Sequence, residues 1–340
     1  MASTSRAWVV DRYGGPDRLV LRERPDPRPG PGEVLVRTAA IGLNFADLFV
    51  RSGDYPRAPK PPFVPGMEIS GTVEAVGEGV SHLSPGQRVV AVPIFGGHAE
   101  KALAPATHVF PLPDGVDLVE AAAVPVAFLT AWYACARAEV AAGDRVVVTA
   151  AAGGVGSALL QLLREKRAKV IALVGSEAKI APCRELGAAD VGTYEAADAL
   201  IDRTFGGVAD VVVDAIGGRI FRRLWRRLGP SGRYVLYGFA AASGASGVAK
   251  LTAARELFAM GLFSPYSFVQ SCKTLIGFNL SLLPDRTGEL QRAARDVFAL
   301  WKDGRIRPIF GPRFSFDRLP DAHRALAGRG TTGKVVVTLP

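Results

Sequence analysis

The sequence is poor in the residues that build disulfide frameworks and structural metal sites. Its 340 residues include three cysteines and four histidines, and Cys135, Cys183 and Cys272 form no C-x-x-C pair. An odd and sparse set of cysteines is typical of a reducing compartment and argues against a structural zinc site. We therefore expect the thiols to be inert core residues, and the histidines to be surface or packed side chains rather than metal ligands.

Long hydrophobic runs are absent as well. The longest apolar stretch, Ala121–Cys135, contains Pro125 and Thr130 and falls short of the roughly 18–20 residues that a membrane-spanning helix needs. The N-terminal sequence MASTSRAWVV has neither the apolar core nor the cleavage site of a secretory signal. These features predict a soluble cytoplasmic protein.

The composition is that of a globular protein with more than one domain. Hydrophobic residues make up 49% and charged residues 21% of the chain, which excludes a disordered or collagen-like protein. A length of 340 residues suggests about two domains of ~100–200 residues each. Lys plus Arg total 41 against 32 for Asp plus Glu, a net charge of +9. That surplus would suit an anionic ligand, nucleic acid or an acidic membrane surface.

The periodicity of the hydrophobic residues changes near Ala121 and divides the chain. Before it, short β-rich runs such as Glu33–Thr38 alternate with turn residues, which predicts a mostly antiparallel partial barrel. After it, apolar strands alternate with amphipathic helices, which predicts a doubly wound parallel sheet covered on both faces. We therefore expect an α/β protein with one domain at 1–125, a second at 126–280, and a C-terminal segment, 281–340, that completes the first.

A glycine-rich turn between a strand and a helix is the most informative local pattern. The strand Arg145–Thr149 leads into the small residues 150–156, and a helix follows. Gly153 allows the backbone to approach a pyrophosphate at the helix N-terminus, and Gly156 allows the helix to pack closely on the strand. Because Ala151 replaces the first glycine of the usual G-x-G-x-x-G pattern, a tight turn without a ligand is the alternative. The predicted dinucleotide-binding residues of this turn are Ala151, Gly153, Gly154, Val155 and Gly156.

The end of the following strand indicates which dinucleotide is bound. An NAD site places an acidic residue there to bind the ribose 2′-hydroxyl, but this chain has Gly175 and Ser176, with Lys179 one turn later. Small, hydroxyl and cationic groups suit a 2′-phosphate, whereas Glu177 falls past the strand end, where it serves the helix dipole. We therefore expect NADPH as the cofactor.

Several motifs spread over nearly the whole chain resemble the medium-chain dehydrogenase/reductase superfamily. They are Gly42–Asp47 (GLNFAD), Arg51–Pro56 (RSGDYP), Pro65–Gly71 (PGMEISG), Ala150–Gly156 (AAAGGVG) and Gly333–Lys334. Within the superfamily the chain resembles the quinone oxidoreductases, closest to the branch of the vesicle amine transport protein on Pro65–Gly71, Asp214–Gly218 and Ile276–Leu280. The resemblance implies a GroES-like, partly open β-barrel catalytic domain, a Rossmann dinucleotide-binding domain and a homodimer.

The residues that hold the catalytic zinc of metal-dependent relatives are replaced in this chain. By position, Asn44, Met67 and Val126 stand in their places, and the closely spaced cysteines of the relatives' structural-zinc lobe are missing. A catalytic zinc ion needs three protein ligands, and Glu68 alone does not hold one. The resemblance therefore implies a zinc-independent enzyme without a metal site.

The resemblance also carries individual site residues over to this chain. It places Asn44 near the nicotinamide and the substrate carbonyl, where the amide would donate a hydrogen bond, and the Thr130 hydroxyl beside the nicotinamide. Tyr55 is the nearby phenol for protonating the product, with solvent as the alternative proton donor. Lys334 would approach the cofactor from the C-terminal segment, where its charge and that of Lys179 would meet a phosphate. The other cofactor-binding residues that the resemblance implies are Ser176, Tyr194, Gly238, Phe278, Asn279 and Leu280.

These expectations lead to one favoured function and two alternatives. Without a Lewis acid, quinones and α,β-unsaturated carbonyl compounds are the favoured substrates, because they are already electrophilic and need only a well-placed hydride. We expect a reductase that transfers this hydride from NADPH. The alternatives are a stand-alone enoyl reductase of lipid or polyketide assembly, and a low-turnover membrane- or lipid-binding protein on the same fold.

Two further segments bear on the partners of the protein. Phe221–Leu228 carries four arginines between apolar residues at helical spacing, and we expect a solvated helix face rather than a nucleic-acid or membrane site. The apolar segment 247–275 is longer than a simple crossover needs, and it suits a pocket wall, a dimer contact or a membrane-adhering surface. We expect a small-molecule substrate and no nucleic acid, with membrane association less favoured.

Overall fold

Two different sheets organise the chain in the computed structural model, which describes residues 3–242, 247–282 and 287–340. Contacts between Cα atoms divide the chain into a first unit, Met1–Leu129 with Pro284–Pro340, and a second unit, Thr130–Leu283. The first limit falls at residue 129 rather than at 125, inside a helix, where sequence periodicity gives no signal of a boundary.

Strands predominate in the first unit and alternate with helices in the second. The strands, numbered along the chain, are β1 (Thr4–Val10), β2 (Leu19–Pro25), β3 (Glu33–Leu43), β4 (Ile69–Val76), β5 (Arg88–Ala91), β6 (Lys101–Pro105), β7 (Val109–Pro111), β8 (Arg145–Val148), β9 (Lys169–Val174), β10 (Asp190–Thr193), β11 (Ala209–Asp214), β12 (Leu228–Leu236), β13 (Thr274–Gly277), β14 (Phe310–Ser315) and β15 (Lys334–Thr338). The helices are α1 (Phe45–Ser52), α2 (Leu118–Ala121), α3 (Pro125–Arg137), α4 (Gly154–Glu165), α5 (Ile180–Glu185), α6 (Ala197–Phe205), α7 (Gly218–Arg226), α8 (Gly247–Met260), α9 (Pro265–Ser271), α10 (Thr287–Lys302) and α11 (Leu319–Ala327).

Strand β3 is the centre of the first unit. It is antiparallel to β4, β6 and β15, and β14 lies parallel to β15 at one edge of the sheet. Val34, Val36 and Ile41 of β3 are fully buried in one core, as expected for a sheet with one face turned to the interior. The mostly antiparallel sheet of the sequence prediction is confirmed. The C-terminal strand β15 joins this sheet, since Val335 pairs with Leu43 at the end of β3.

The second unit contains a parallel sheet with the strand order β10-β9-β8-β11-β12-β13. Its central strands β8 and β11 are rows of buried valines, which is the pattern of a parallel sheet covered on both faces. The chain reverses its direction of travel across the sheet between β8 and β11. Dinucleotides bind outside the carboxyl ends of the strands at such a switch point, and the predicted doubly wound architecture is confirmed.

Three local features differ from the sequence predictions. The apolar spacing after β9 predicts a helix over Ala178–Leu186, but the structure has the shorter α5, which follows a 3₁₀ turn at Glu177–Lys179. Helix α4 begins at Gly154 rather than at Ser157, because the small residues of the turn already adopt helical geometry. Cys272 is exposed rather than in the core, because it ends α9, a helix without a buried residue.

Helix α7 contains the arginine-rich segment. Arg222 and Arg226 are exposed, as predicted for a solvated face. Arg223 and Arg227 instead form ion pairs with Asp198 of α6. Only part of the basic helix face is therefore available to solvent.

Helices α8 and α9 expose large apolar side chains. Phe258 of α8 is 83% exposed, and further exposed apolar side chains follow in the next loop and in α9. We call these residues the α8–α9 apolar surface: Leu251, Leu257, Phe258, Leu262, Tyr266 and Val269. Within a single chain this part of segment 247–275 faces solvent and is not part of the core.

Two buried histidines lie together in the core of the first unit. The rings of His98 and His323 are 5.2 Å apart between centroids, edge to face, and both side chains are fully buried. Arg51 donates to His323 Nδ1 at 2.9 Å, because a guanidinium only donates. Burial lowers the pKa of His98 to about 3 and that of His323 well below its usual value, and the nearby Arg51 charge adds to both effects.

This histidine pair predicts acid-sensitive folding. The folded chain keeps both rings neutral, whereas the unfolded chain protonates them below about pH 6.5, so stability is fully present above that pH and is lost as the pH falls. The expected loss is about 1.4 kcal/mol in the free energy of unfolding per pH unit for each neutral histidine. In urea unfolding series, His323→Gln should reduce this pH dependence, and His82→Gln, at an exposed position, should leave it unchanged. Equal slopes for all three proteins would contradict the prediction.

Candidate active site

The turn between β8 and α4 is built to approach an anion. Gly153 precedes the helix in an extended conformation, with φ −78° and ψ 179°. A Cβ atom on Gly156 would lie 2.6 Å from the Ala151 Cα atom, so only glycine allows α4 to pack this closely on the turn. The first N–H groups of a helix lack intrahelical acceptors and attract a phosphate. The turn therefore has the geometry that the sequence predicted for Gly153 and Gly156.

Three loops meet around this turn at the carboxyl ends of neighbouring strands. The Ala150 N–H group, after β8, donates to the hydroxyl of Tyr194, after β10, at 3.1 Å. Gly175, after β9, is the third member, since its Cβ position lies 3.9 Å from the Tyr194 ring. Ser176 follows it and is exposed, while Lys179 is half-buried, which lowers the pKa of its ammonium group. The structure thus brings the predicted turn, Gly175 and Tyr194 together.

A buried carboxylate that was not predicted as a site residue ties the strand ends together. Asp214 accepts hydrogen bonds from the Thr149 and Tyr234 hydroxyls, both at 2.7 Å, and from the N–H groups of Ile216 and Gly217. Burial raises the pKa of Asp214. Thr149 also accepts from the Ala215 N–H group at 2.9 Å. These bonds fix the carboxyl ends of β8, β11 and β12, so they hold the start of the phosphate-binding turn.

The remaining predicted cofactor residues of the second unit lie beyond β12 and β13. A Cβ atom on Gly238 would lie 2.8 Å from the Ala215 carbonyl oxygen, so Gly238 lies directly against the end of β11. The Phe278 ring stacks on Tyr237 at 6.2 Å and meets the edge of Tyr133 at 4.8 Å. The backbone at Gly238 and 278–280 therefore belongs to the same end of the sheet as the turn.

The first unit contains a second polar cluster, centred on Asn44 at the start of α1. Its amide nitrogen donates to Glu68 Oε2 at 2.9 Å and to the Gly42 carbonyl oxygen at 3.3 Å. Its carboxamide oxygen accepts from the Lys334 ammonium group at 2.6 Å. Lys334 also forms an ion pair with Glu68, and Glu68 Oε1 accepts from the Val126 N–H group at 2.7 Å. Asn44, Glu68 and Lys334 are all buried.

Local backbone geometry explains how these residues meet. A Cβ atom on Gly42 would lie 2.6 Å from Glu68 Oε2, and one on Gly333 would lie 2.5 Å from the Ile309 carbonyl oxygen. Gly333 also has a positive φ of 72°, which glycine adopts without strain. The pairing of β15 with β3 then brings Lys334 to the end of β3.

The contacts within the cluster involve the polar atoms of two predicted site residues. We expected Asn44 to donate to a substrate carbonyl, but both of its amide hydrogens have acceptors within the first unit. We expected Lys334 to meet a cofactor phosphate, but its ammonium group is buried between Asn44 and Glu68. A carboxylate from a distant part of the sequence thus neutralises the lysine, and the contact with a cofactor phosphate stays a prediction.

Asp47 is a further buried carboxyl group in this cluster that sequence reasoning missed. Its Oδ2 atom accepts from the Asn44 N–H group at 2.7 Å, while Oδ1 has no hydrogen-bond partner among the described residues. Burial raises the pKa of Asp47 to about 7. The motif asparagine followed three residues later by aspartate, at the start of a helix, was the signal that could have identified this cap.

Tyr55 and Thr130 are the two other predicted catalytic residues. Tyr55 lies in the loop after α1 and packs, partly buried, against the core of the first unit. Thr130 is a buried residue of α3 and the first residue of the second unit.

Family models match parts of both the antiparallel unit and the parallel-sheet unit of the chain. A family model described as alcohol dehydrogenase GroES-like domain matches residues 30–114, and one described as zinc-binding dehydrogenase matches residues 186–337. The chain is 33% identical over 337 residues to the synaptic vesicle membrane protein VAT-1 homolog of Rattus norvegicus, covering 98% of this chain and 83% of that protein. It is 35% identical over 331 residues to the quinone oxidoreductase-like protein 2 of Bos taurus, covering 95% and 90%.

Solved structures of oxidoreductases are similar to this chain over almost its whole length. The quinone oxidoreductase of Thermus thermophilus, also solved in complex with NADPH, is 35% identical with a TM-score of 0.81, covering 98% of this chain and all of that one. The CurK enoyl reductase is 25% identical with a TM-score of 0.85, covering 99% of both chains. The chain therefore belongs to the medium-chain dehydrogenase/reductase superfamily, and it is an oxidoreductase.

The zinc ion that one family description implies does not fit the residues of this chain. A catalytic zinc site needs three protein ligands, and the described residues contain no group of three His, Cys, Asp or Glu side chains that could hold a metal ion. The carboxylate of Glu68 is already satisfied by Lys334, Asn44 and the Val126 N–H group.

No helix within the described ranges has the length and apolar character to cross a membrane.

The turn geometry makes Gly156→Ala a sharp test of the dinucleotide site. The new methyl group would clash with the backbone of Ala151, so the turn must shift away from the helix N-terminus. We expect the dissociation constant of a reduced dinucleotide, measured by its fluorescence, to rise at least about tenfold, which is about 1.4 kcal/mol. Gly328→Ala, where the new methyl group meets only ordinary contacts, is the matched control. Unchanged affinity in Gly156→Ala would refute the assignment of this turn.

Proposed function

We propose that the protein is a zinc-independent reductase that transfers a hydride from NADPH to a quinone or an α,β-unsaturated carbonyl compound. The observation that carries this proposal is the polar cluster of the first unit, in which an ion pair between Glu68 and Lys334 leaves no ligand set for a Lewis acid. Alcohol oxidation usually needs such an acid to stabilise the alkoxide. Electrophilic acceptors need positioning and modest hydrogen bonding instead.

NADPH is the hydride donor that the second unit fits. The turn at Gly153–Gly156 and the N-terminus of α4 would hold the pyrophosphate. Ser176 and Lys179 follow the end of β9, where NAD-specific enzymes have an acidic residue, and they would hold the 2′-phosphate. When bound, NADPH supplies the hydride from C4 of its nicotinamide ring. The protein positions the two reactants, and the product takes its proton from Tyr55 or solvent.

The acceptor is quinone or enone in the favoured proposal and an enoyl thioester in the enzymatic alternative. The similarity to the CurK enoyl reductase supports that alternative. The α8–α9 apolar surface supports the third function, lipid or membrane binding with little turnover, as does the name of the VAT-1 relatives.

An exposed apolar surface of this kind also suits a homodimer, in which the exposed edge strand β13 would pair with its copy. We favour a homodimer contact over membrane binding as the role of this surface. The sparse cysteines predict a reducing compartment, and we propose that the protein acts in the cytoplasm.

Turnover with a panel of acceptors decides among these functions. NADPH oxidation should be rapid with a quinone or an enone, slower with an enoyl thioester, and unaffected by EDTA. Faster reduction of the thioester would favour the enoyl reductase. Binding to anionic liposomes without turnover of any acceptor would favour the lipid-binding protein, and loss of activity in EDTA would refute zinc independence.

Lys179 should determine the choice between NADPH and NADH. Lys179→Met removes a cation from the predicted 2′-phosphate site, so we expect KM for NADPH to rise about tenfold or more, the size of a charge-assisted hydrogen bond. KM for NADH should change little, because NADH lacks the phosphate. Lys166→Met, at an exposed position at the end of α4, controls for the change of net charge. Equal effects on both cofactors would overturn the NADPH assignment.

A further inference from the structure

A groove on the first unit lies between helix α10 and the segment 106–113, which includes strand β7. Its volume is about 430 Å³, within the ~300–1,000 Å³ that small-molecule sites occupy. All the residues that line it belong to the first unit. None of them is a predicted cofactor-binding or catalytic residue, so the groove shares no side chain with the candidate active site.

The deepest part of this groove is apolar. Ala106, Val109 and Phe110 line it from the strand side and Ala294 from α10, and all four are buried. Phe298 of α10 is half-buried, and its ring centroid lies 6.3 Å from that of Phe110. Apolar surface that remains in contact with water favours an apolar ligand that would cover it.

One face of α10 adds two cations to this apolar lining. Gln291, Arg295, Phe298 and Lys302 recur at the spacing of a single helix face, and all four line the groove. Arg295 and Lys302 are exposed, and neither forms an ion pair with another described residue. No aspartate or glutamate is among the described residues that line the groove. Its walls therefore carry a positive charge that they do not neutralise themselves.

The spacing of the two cations indicates an elongated ligand. Arg295 and Lys302 are seven positions apart on α10, which is about 10 Å along the axis of a helix that rises ~1.5 Å per residue. Phe298 lies between them in sequence and on the same face, so a molecule anchored at one cation would extend along this ring. A second copy of the chain fits less well, because a two-fold contact would bring the same cations together.

We propose that this groove binds a medium-chain alkyl carboxylate. The carboxylate would accept charge-assisted hydrogen bonds from Arg295 or Lys302, and the alkyl chain would cover Phe298 and the buried apolar residues beneath it. The alternative is that the stems of the arginine and lysine side chains cover the ring while their charges stay in water. The groove uses none of the residues assigned to hydride transfer, so its ligand does not depend on that reaction.

Titration of the full chain with decanoate, followed by calorimetry, tests this site. In Arg295→Gln/Lys302→Gln we expect the dissociation constant of decanoate to rise at least about tenfold, the size of a lost charge-assisted hydrogen bond. Lys60→Gln/Arg292→Gln is the matched control. It removes one lysine and one arginine that are also exposed but do not line the groove, and its affinity should stay within about twofold of wild type.

Ligands that share only one part of decanoate separate the two kinds of contact. Decanol has the same chain without a charge, so it should bind at least about tenfold more weakly. Decylamine should bind more weakly still, because its ammonium group would meet two cations. Acetate keeps the carboxylate and lacks the chain, and it should bind at least about a hundredfold more weakly, since each buried methylene adds to the affinity.

Three results would overturn the proposal. Equal affinity for decanoate in wild type and in Arg295→Gln/Lys302→Gln would assign the binding to another apolar surface of the chain. Decanol or decylamine binding as tightly as decanoate would exclude recognition of the carboxylate. Absence of decanoate binding below the concentration at which it aggregates would leave the side-chain stems as the cover of Phe298. None of these measurements uses turnover, so failure of the proposed enzymatic function would leave them unchanged.

Discussion

The buried carboxylate of Glu68 is paired with a positive charge from the far end of the chain. The Lys334 ammonium group reaches it because β15 pairs with the end of β3, with Val335 opposite Leu43. An unpaired charge at this depth would cost several kcal/mol, so the returning strand, the glycines that make room and the Asn44 side chain all depend on this pair. The first unit therefore needs both ends of the sequence to complete its polar centre.

The second unit meets a different constraint, the close approach of a backbone turn to an anionic ligand. Parallel strands of buried valines bring several carboxyl ends to one edge of the sheet. Gly156 lets α4 begin directly at that edge, and Asp214 ties β8, β11 and β12 together through uncharged donors. Asp214 has no cation among these partners, so its carboxylate is satisfied by hydrogen bonds from hydroxyl and backbone groups. The turn is thus held in place before any ligand binds.

Much of this organisation could be predicted because it depends on local pattern. The apolar strands, the turn at Gly153 and Gly156, and the return of the last strand all have signals in the spacing of residue types. The partners of Asn44 and Lys334 had no such signal, because Asn44, Glu68 and Lys334 lie in three separate segments of the sequence. The role of Asp214 could not be predicted either, because the sequence does not distinguish an aspartate that binds a ligand from one that binds neighbouring residues.

The sequence by itself determined the two-domain α/β architecture, the membership of an oxidoreductase superfamily and the replacement of the zinc ligands by Asn44, Met67 and Val126. Those properties depend on periodicity and on residue types that are present or missing. Only the tertiary structure decided which partners the buried charged residues have. Lys334 pairs with Glu68 and donates to Asn44. Asp47 is buried, and one of its oxygens lacks a partner among the described residues. The physical reason is that the cost of a buried charge depends on neighbours in space, and long-range strand pairing chooses those neighbours.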